Sequence, residues 1–172
     1  KRFLDAFDLR EDMTRQVRTA LEGNPDLLGL YVVFEANALD GKDDLFVGQA
    51  ELGSNDKGRF SLYWSQATAG ELEAEPLTEE QLADTTAGPS GTPYNAWYTC
   101  PRESKRACLL DPYIDEADGV KTLMTSIAFP LIQNDKVIGV LGVDLSLASL
   151  QELSMPFALG EYRRRQHACV QR

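Results

Sequence analysis

Two apolar runs joined by a four-residue turn constrain this chain more than any other feature in it. Residues 120–132 and 137–144 are rich in β-branched and aliphatic side chains, and Gln133-Asn134-Asp135-Lys136 between them has the composition of a tight hairpin turn. Upstream, residues 27–34 (Leu-Leu-Gly-Leu-Tyr-Val-Val-Phe) read as a buried strand. Shorter strands are predicted at 45–50 and 59–65, set off by the turn signals Asp40-Gly41 and Asp56-Lys57-Gly58. Phe3, Phe7, Leu9, Met13, Val17, Ala20 and Leu21 recur mostly at three- and four-residue steps, the stripe of an amphipathic helix that Asn24-Pro25 ends. A further helix is expected from Ser146, with Leu147, Leu150 and Leu153 on one face. Helix, antiparallel strands, then helix make an α+β domain. The expected organisation is an N-terminal helix over 1–26, a sheet module over 27–154 and a tail over 155–172. That tail carries Arg163-Arg164-Arg165 and His167 and has no usable period.

Composition narrows the function. With 27 acidic against 17 basic residues the formal charge is -10, a surface that repels phosphate backbones and anionic headgroups and so argues against a nucleic-acid partner. No run reaches the roughly 18–20 apolar residues of a membrane span. The chain begins Lys1-Arg2 without a Met, which reads as an excised piece and leaves room for an N-terminal anchor outside it. The single histidine, His167, falls in the tail, so a Ser/His/Asp or Cys/His relay lacks a base and no catalytic residue is assigned. No phosphate-cradling glycine loop is present, Asp40-Gly41-Lys42-Asp43-Asp44 lacks the ligand spacing of a calcium loop, and no metal or cofactor is expected.

Three readings stay open at this level. Cys100 and Cys108 flank a short basic loop; they pair as a disulfide, remain free thiols, or join a zinc site, for which one histidine and a distant Cys169 supply too few ligands. Residues 70–93, rich in Glu, Thr, Gly and Pro, form a long solvated loop with one helical turn at 78–84, either a lid over a pocket or a plain insertion. Residues 94–115 set Trp97 and Tyr98 near Tyr113 and Asp115 in sequence. Aromatics beside a carboxylate suit a small cation, worth about 0.5–2 kcal/mol at a ring face and about 1.5–3 kcal/mol at the charge; the same residues also read as core and turn.

Taken in order, Trp97-Tyr98, Tyr113-Ile114-Asp115, the turn at Gly119, Phe129-Pro130 and the run from Gly139 to Asp144 before a leucine helix resemble the membrane-distal module of a double Cache domain. Phe34-Glu35-Ala36-Asn37-Ala38-Leu39-Asp40-Gly41-Lys42-Asp43, Gly58-Arg59-Phe60 and Tyr63-Trp64 extend the resemblance, which covers roughly residues 3–154. Such modules are the periplasmic sensors of methyl-accepting chemotaxis proteins and of some histidine kinases and diguanylate cyclases. The resemblance implies a long N-terminal helix packed on a PAS-like antiparallel sheet with short helices. It also implies a periplasmic position in an inner-membrane receptor, a homodimer in the full receptor, and ligand contacts from Trp97, Tyr98, Tyr113, Asp115 and Asp144. Tyr63 and Trp64 are possible pocket walls. Amino-acid-binding members carry an Arg two residues before the Trp to grip the ligand carboxylate; here that position is Asn95, which lacks the cationic fork. The expected ligand is therefore an amine without a carboxylate (a polyamine, a biogenic amine or a quaternary amine), ahead of an amino acid. A dimerising ectodomain whose pocket is filled by its own side chains is the alternative.

Overall fold

The computed structural model describes residues 2–66, 71–117 and 120–148. The predicted helix past Ala148 and the tail over 155–172 lie outside them.

Helix α1 runs over Arg2–Glu22. It ends where Asn24 folds its carboxamide back to donate to the Ala20 carbonyl at 2.7 Å while its backbone N–H donates to Leu21. The sheet follows: β1 Leu27–Phe34, β2 Ser61–Ser65, β3 Glu73–Pro76, β4 Cys108–Leu109, β5 Tyr113–Ala117, β6 Val120–Gln133 and β7 Lys136–Ser146. Every pairing is antiparallel, in the order β3-β2-β1-β7-β6-β4, with β5 also on β6. The first strand therefore sits centrally, beside the last. The hairpin read from sequence is β6–β7, and Asn134 and Asp135 both take positive φ (51° and 62°), as the tight primed turn between right-twisted strands requires.

Strand β1 is buried on both faces, which is why it reads as a continuous apolar run. Leu30, Val32 and Phe34 pack with Val17 and Leu21 of α1, together with Phe60 and Leu62. Tyr31 and Val33 face the other way, towards Leu77, Leu82, Trp97, Tyr98, Ala128 and Val140. That second face carries the short helices α2 (Glu79–Ala83) and α3 (Ala96–Ser104). The result is an α+β layer with a long helix on one face and short helices on the other.

Three expectations need correction. The strand predicted at 45–50 is a pair of single 3-10 turns, Asp43–Leu45 and Ala50–Leu52; Gly48, at φ 71°, breaks the extended backbone between them, and Phe46 and Leu52 are buried against Ala6. The stripe on α1 is Ala6, Arg10, Val17 and Leu21, while Leu9 is 39% exposed; hydrophobicity alone hid an arginine on the inner face. Residues 71–93 hold the expected helical turn as α2, whose start is a reciprocal capping box between Thr78 and Gln81, but they also contain the strand β3, which the loop reading lacked.

The structure joins Cys100 to Cys108. The segment between the cysteines is not a simple loop, because Cys100 lies in the middle of α3 and Cys108 in β4; the bridge staples a helix to a sheet edge. Closing so short a loop is worth about 2–3 kcal/mol. Reduction with a dithiol, or a paired Cys100→Ser/Cys108→Ser replacement, is expected to lower the melting temperature by about 4–12 °C. An unchanged melt would show that the bridge constrains nothing the native contacts do not already hold.

Candidate ligand-binding site

A cavity of about 680 Å³ opens on the sheet face opposite α1. Its floor is made by side chains of four strands: Tyr31 on β1, Tyr63 on β2, Tyr113 on β5 and Asp144 on β7. Trp97 of α3 and Leu110 form one wall, and residues 84–94 with β3 form the opposite rim. The long segment thus borders the cavity from Glu73 to Tyr94.

Two glycines make this floor possible. Gly142 is the cross-strand partner of Tyr31, and a Cβ there would meet the Tyr31 ring at 2.0 Å. Gly29 pairs with Asp144, and a Cβ there would meet the Tyr63 ring at 2.5 Å. Both rings lie flat across space that any other residue would fill.

Tyr31 meets Trp97 edge to face (ring centroids 5.0 Å apart, planes at 74°), and its hydroxyl donates to the Trp97 carbonyl at 3.2 Å. Burial first, then the Asp144 charge and the nearby Tyr113, push the Tyr31 phenol well above its ordinary pKa, so it stays protonated. Asp144 is 4% exposed and accepts from the Ser126 hydroxyl at 2.5 Å; Ser126 in turn lies 2.7 Å from the Tyr113 hydroxyl. Glu73, Glu75, Asp84 and Asp111 add carboxylates around the rim. Hydrogen bonds from the Thr86 side chain and backbone hold Asp84 below its ordinary carboxyl range. Among the described lining residues there are five carboxylates and no lysine or arginine.

The structure brings together Tyr63, Trp97, Tyr113 and Asp144 of the residues named from sequence. Tyr98 and Trp64 do not line the cavity, for a geometric reason in each case. Neighbours on a helix diverge by roughly 100°, so with Trp97 facing the cavity Tyr98 turns aside. Its hydroxyl donates to Glu35 at 2.6 Å and accepts from Arg59 at 3.1 Å, with the Arg102 guanidinium 4.8 Å from its ring centroid. Burial, then the Glu35 contact, raises the Tyr98 pKa. Neighbours on a strand point to opposite faces, so Trp64 packs with the α1 cluster and under Arg18 while Tyr63 faces the cavity. Asn95 stands at the N-cap of α3, buried, and its carboxamide donates to the Leu82 carbonyl at 2.9 Å. Asp115 pairs in register with Thr122; its side chain lies outside the described residues.

Sequence reasoning missed Tyr31, Ser126 and the acidic rim. The alternation Glu73-Ala74-Glu75 was a period-two signal for that rim, and Tyr31 shared the face of Val33. Nothing in the sequence marked Ser126.

Residues 13–152 match the family described as methyl-accepting chemotaxis protein-like, first PDC sensor domain. The chain is 69% identical over 154 residues to methyl-accepting chemotaxis protein TlpQ of Pseudomonas aeruginosa, covering 90% of this chain and 22% of that protein, so it spans about a fifth of the relative's length. A solved structure named methyl-accepting chemotaxis protein X superposes with a TM-score of 0.63 at 31% identity, over 83% of this chain and 48% of that one. The periplasmic sensory domain of the Campylobacter jejuni chemoreceptor Tlp1 shares the fold at a TM-score of 0.54 and 13% identity, over 84% and 47% of the two chains. The match over most of its length, on a fold of this architecture, establishes that the chain belongs to the methyl-accepting chemotaxis protein-like, first PDC sensor domain family.

Proposed function

We propose that this sensor domain is the extracytoplasmic, membrane-distal module of a double Cache chemoreceptor, and that it binds a small amine lacking a carboxylate. A lining that, among the described residues, has five carboxylates and several aromatic rings without a lysine or arginine carries this reading. Such a lining attracts an ammonium through charge and ring faces together, and repels a ligand carboxylate. The buried Asn95 in place of a carboxylate-gripping arginine points the same way. The proposed contacts are Trp97, Tyr113, Asp115 and Asp144, with Tyr31 and Tyr63 as walls; Tyr98 braces α3 from behind through Glu35 and Arg59. An open cavity between Trp97 and Asp144 favours ligand sensing over a purely structural ectodomain. In the full receptor, a homodimer anchored in the inner membrane, occupancy shifts α1 and biases a two-state equilibrium across the bilayer.

Isothermal titration calorimetry with 1,4-diaminobutane, phenethylamine, choline, a set of α-amino acids and simple dicarboxylates tests the ligand class. Micromolar binding confined to amines is the expected result. Binding only to carboxylates without an amine would sink the pocket assignment.

A further inference from the structure

Pro101 lies inside α3 and is fully buried. A proline within a helix has no N–H for the carbonyl four residues back, and its ring pushes that carbonyl aside. The carbonyl concerned is that of Trp97, the residue that forms one wall of the cavity. A buried carbonyl without a donor is costly. Here the Tyr31 hydroxyl, reaching across from β1, supplies the donor at 3.2 Å. Burial first, then the Asp144 charge, holds the Tyr31 pKa well above its ordinary value, so the donor keeps its proton. Gly142 opens the slot in which the Tyr31 ring lies, and Trp97 meets that ring edge to face. Of these restraints on Tyr31, the hydroxyl–carbonyl bond is the directional one.

We propose that Pro101, which does not itself line the cavity, is a positioning residue for ligand binding: by withholding the helical donor from Trp97, it makes that wall carbonyl the anchor of the Tyr31 phenol on the floor. An N–H at position 101 would close the helical bond and release the phenol. The ligand would then have to order the Tyr31 ring as it binds. Immobilising one such side chain weakens binding by about threefold to tenfold. The helix thus gives up one internal hydrogen bond, and the wall and floor of the cavity are locked together before a ligand arrives. This inference rests on the amine reading of the same cavity.

A double-mutant cycle of Pro101→Ala and Tyr31→Phe in the 172-residue chain tests it, read by thermal melting and by calorimetry with 1,4-diaminobutane. Tyr31→Phe alone leaves the Trp97 carbonyl with neither donor, and the melting temperature is expected to fall by about 2–12 °C. In the Pro101→Ala background the restored N–H takes that carbonyl, so Tyr31→Phe is expected to cost no more than about 2 °C. Pro101→Ala is expected to weaken diamine binding by about threefold to tenfold in the native background. In the Tyr31→Phe background the same change should move affinity by less than about twofold. A merely structural loss would be equal in both backgrounds. Additive effects in either readout would overturn the assignment. So would a Pro101→Ala chain that fails to fold, because the proline would then be needed for the helix itself. The melting arm needs no ligand. If the native chain binds no amine, the amine reading fails and the claim on affinity with it, while the melts still decide whether Pro101 holds Tyr31 to Trp97.

Discussion

Replacing Arg10 with methionine is expected to lower the melting temperature by about 6–20 °C. Arg10 is fully buried on α1 and all five of its N–H donors are engaged. Nε and Nη2 grip Asp40 at 2.7 and 2.9 Å, Nη2 also reaches Asp43 at 2.9 Å, and Nη1 donates to Ser54 Oγ and the Gly58 carbonyl, both at 2.7 Å. The Phe46 ring lies 4.1 Å from the guanidinium carbon. Methionine fills much of the volume but strands two carboxylates away from water, a cost of about 3–5 kcal/mol. Lysine keeps the charge with three donors and no planar fork, so Arg10→Lys should recover only part of the loss. A melt of Arg10→Met superimposable on the native one would show that the loop over 40–58 holds its shape without the arginine.

The same cluster predicts a pH dependence. Burial raises the Asp40 carboxyl pKa, but hydrogen bonds and charge from Arg10, helped by Lys42, overcome it and leave the value below the ordinary 3.8. A carboxyl whose pKa is lower folded than unfolded adds stability at pH above 3.8, and that stability is lost as pH falls through the folded value. In Arg10→Met, burial acts without its counterweight and acid relieves the stranded charge. The gap between native and variant melts should therefore be widest near neutrality and close as the pH approaches 3. A gap that widens in acid would mean that Asp40 is not the partner that matters.

Asp144→Asn is expected to weaken binding of 1,4-diaminobutane by roughly 10–150-fold, the range of one charge-assisted hydrogen bond. The carboxamide has the shape of the carboxylate and its oxygen can still accept from Ser126, so the floor of the pocket persists and the melting temperature stays within a few degrees. What is lost is the charge, at a site 4% exposed where water screens it little. Unimpaired binding by a folded Asp144→Asn chain would move the ligand's amine away from this end of the cavity, towards the rim acids. A chain that fails to fold would instead make Asp144 a structural residue.

Much of the architecture was legible because period carries it. The 3.6-residue stripe of α1, the unbroken apolar run of β1 and the β6–β7 hairpin each announce one local geometry, and antiparallel pairing follows from the tight turn. Where local signals compete, the reading failed. Residues 45–50 open with the apolar run Leu45-Phe46-Val47 that suits a strand, yet a left-handed glycine and the burial of Phe46 fold them into turns. Arg10 was invisible because its burial depends on acids 30 and 33 residues away. Tyr98 and Trp64 were named beside the residues that do line the cavity, and adjacency along a helix or strand sends neighbours to different faces.

The sequence by itself determined that this is an α+β domain, because period and turn signals are properties of the chain; the grouping of residues 94–115 with Asp144 was what the resemblance to double Cache modules implied. Only the tertiary structure decided which of each neighbouring pair faces the cavity, that the segment over 70–93 brings a rim of carboxylates to it, and that Ser126 stands between Tyr113 and Asp144. Directional hydrogen bonds between strands far apart in sequence leave no period to read; they exist only once the sheet has set the register.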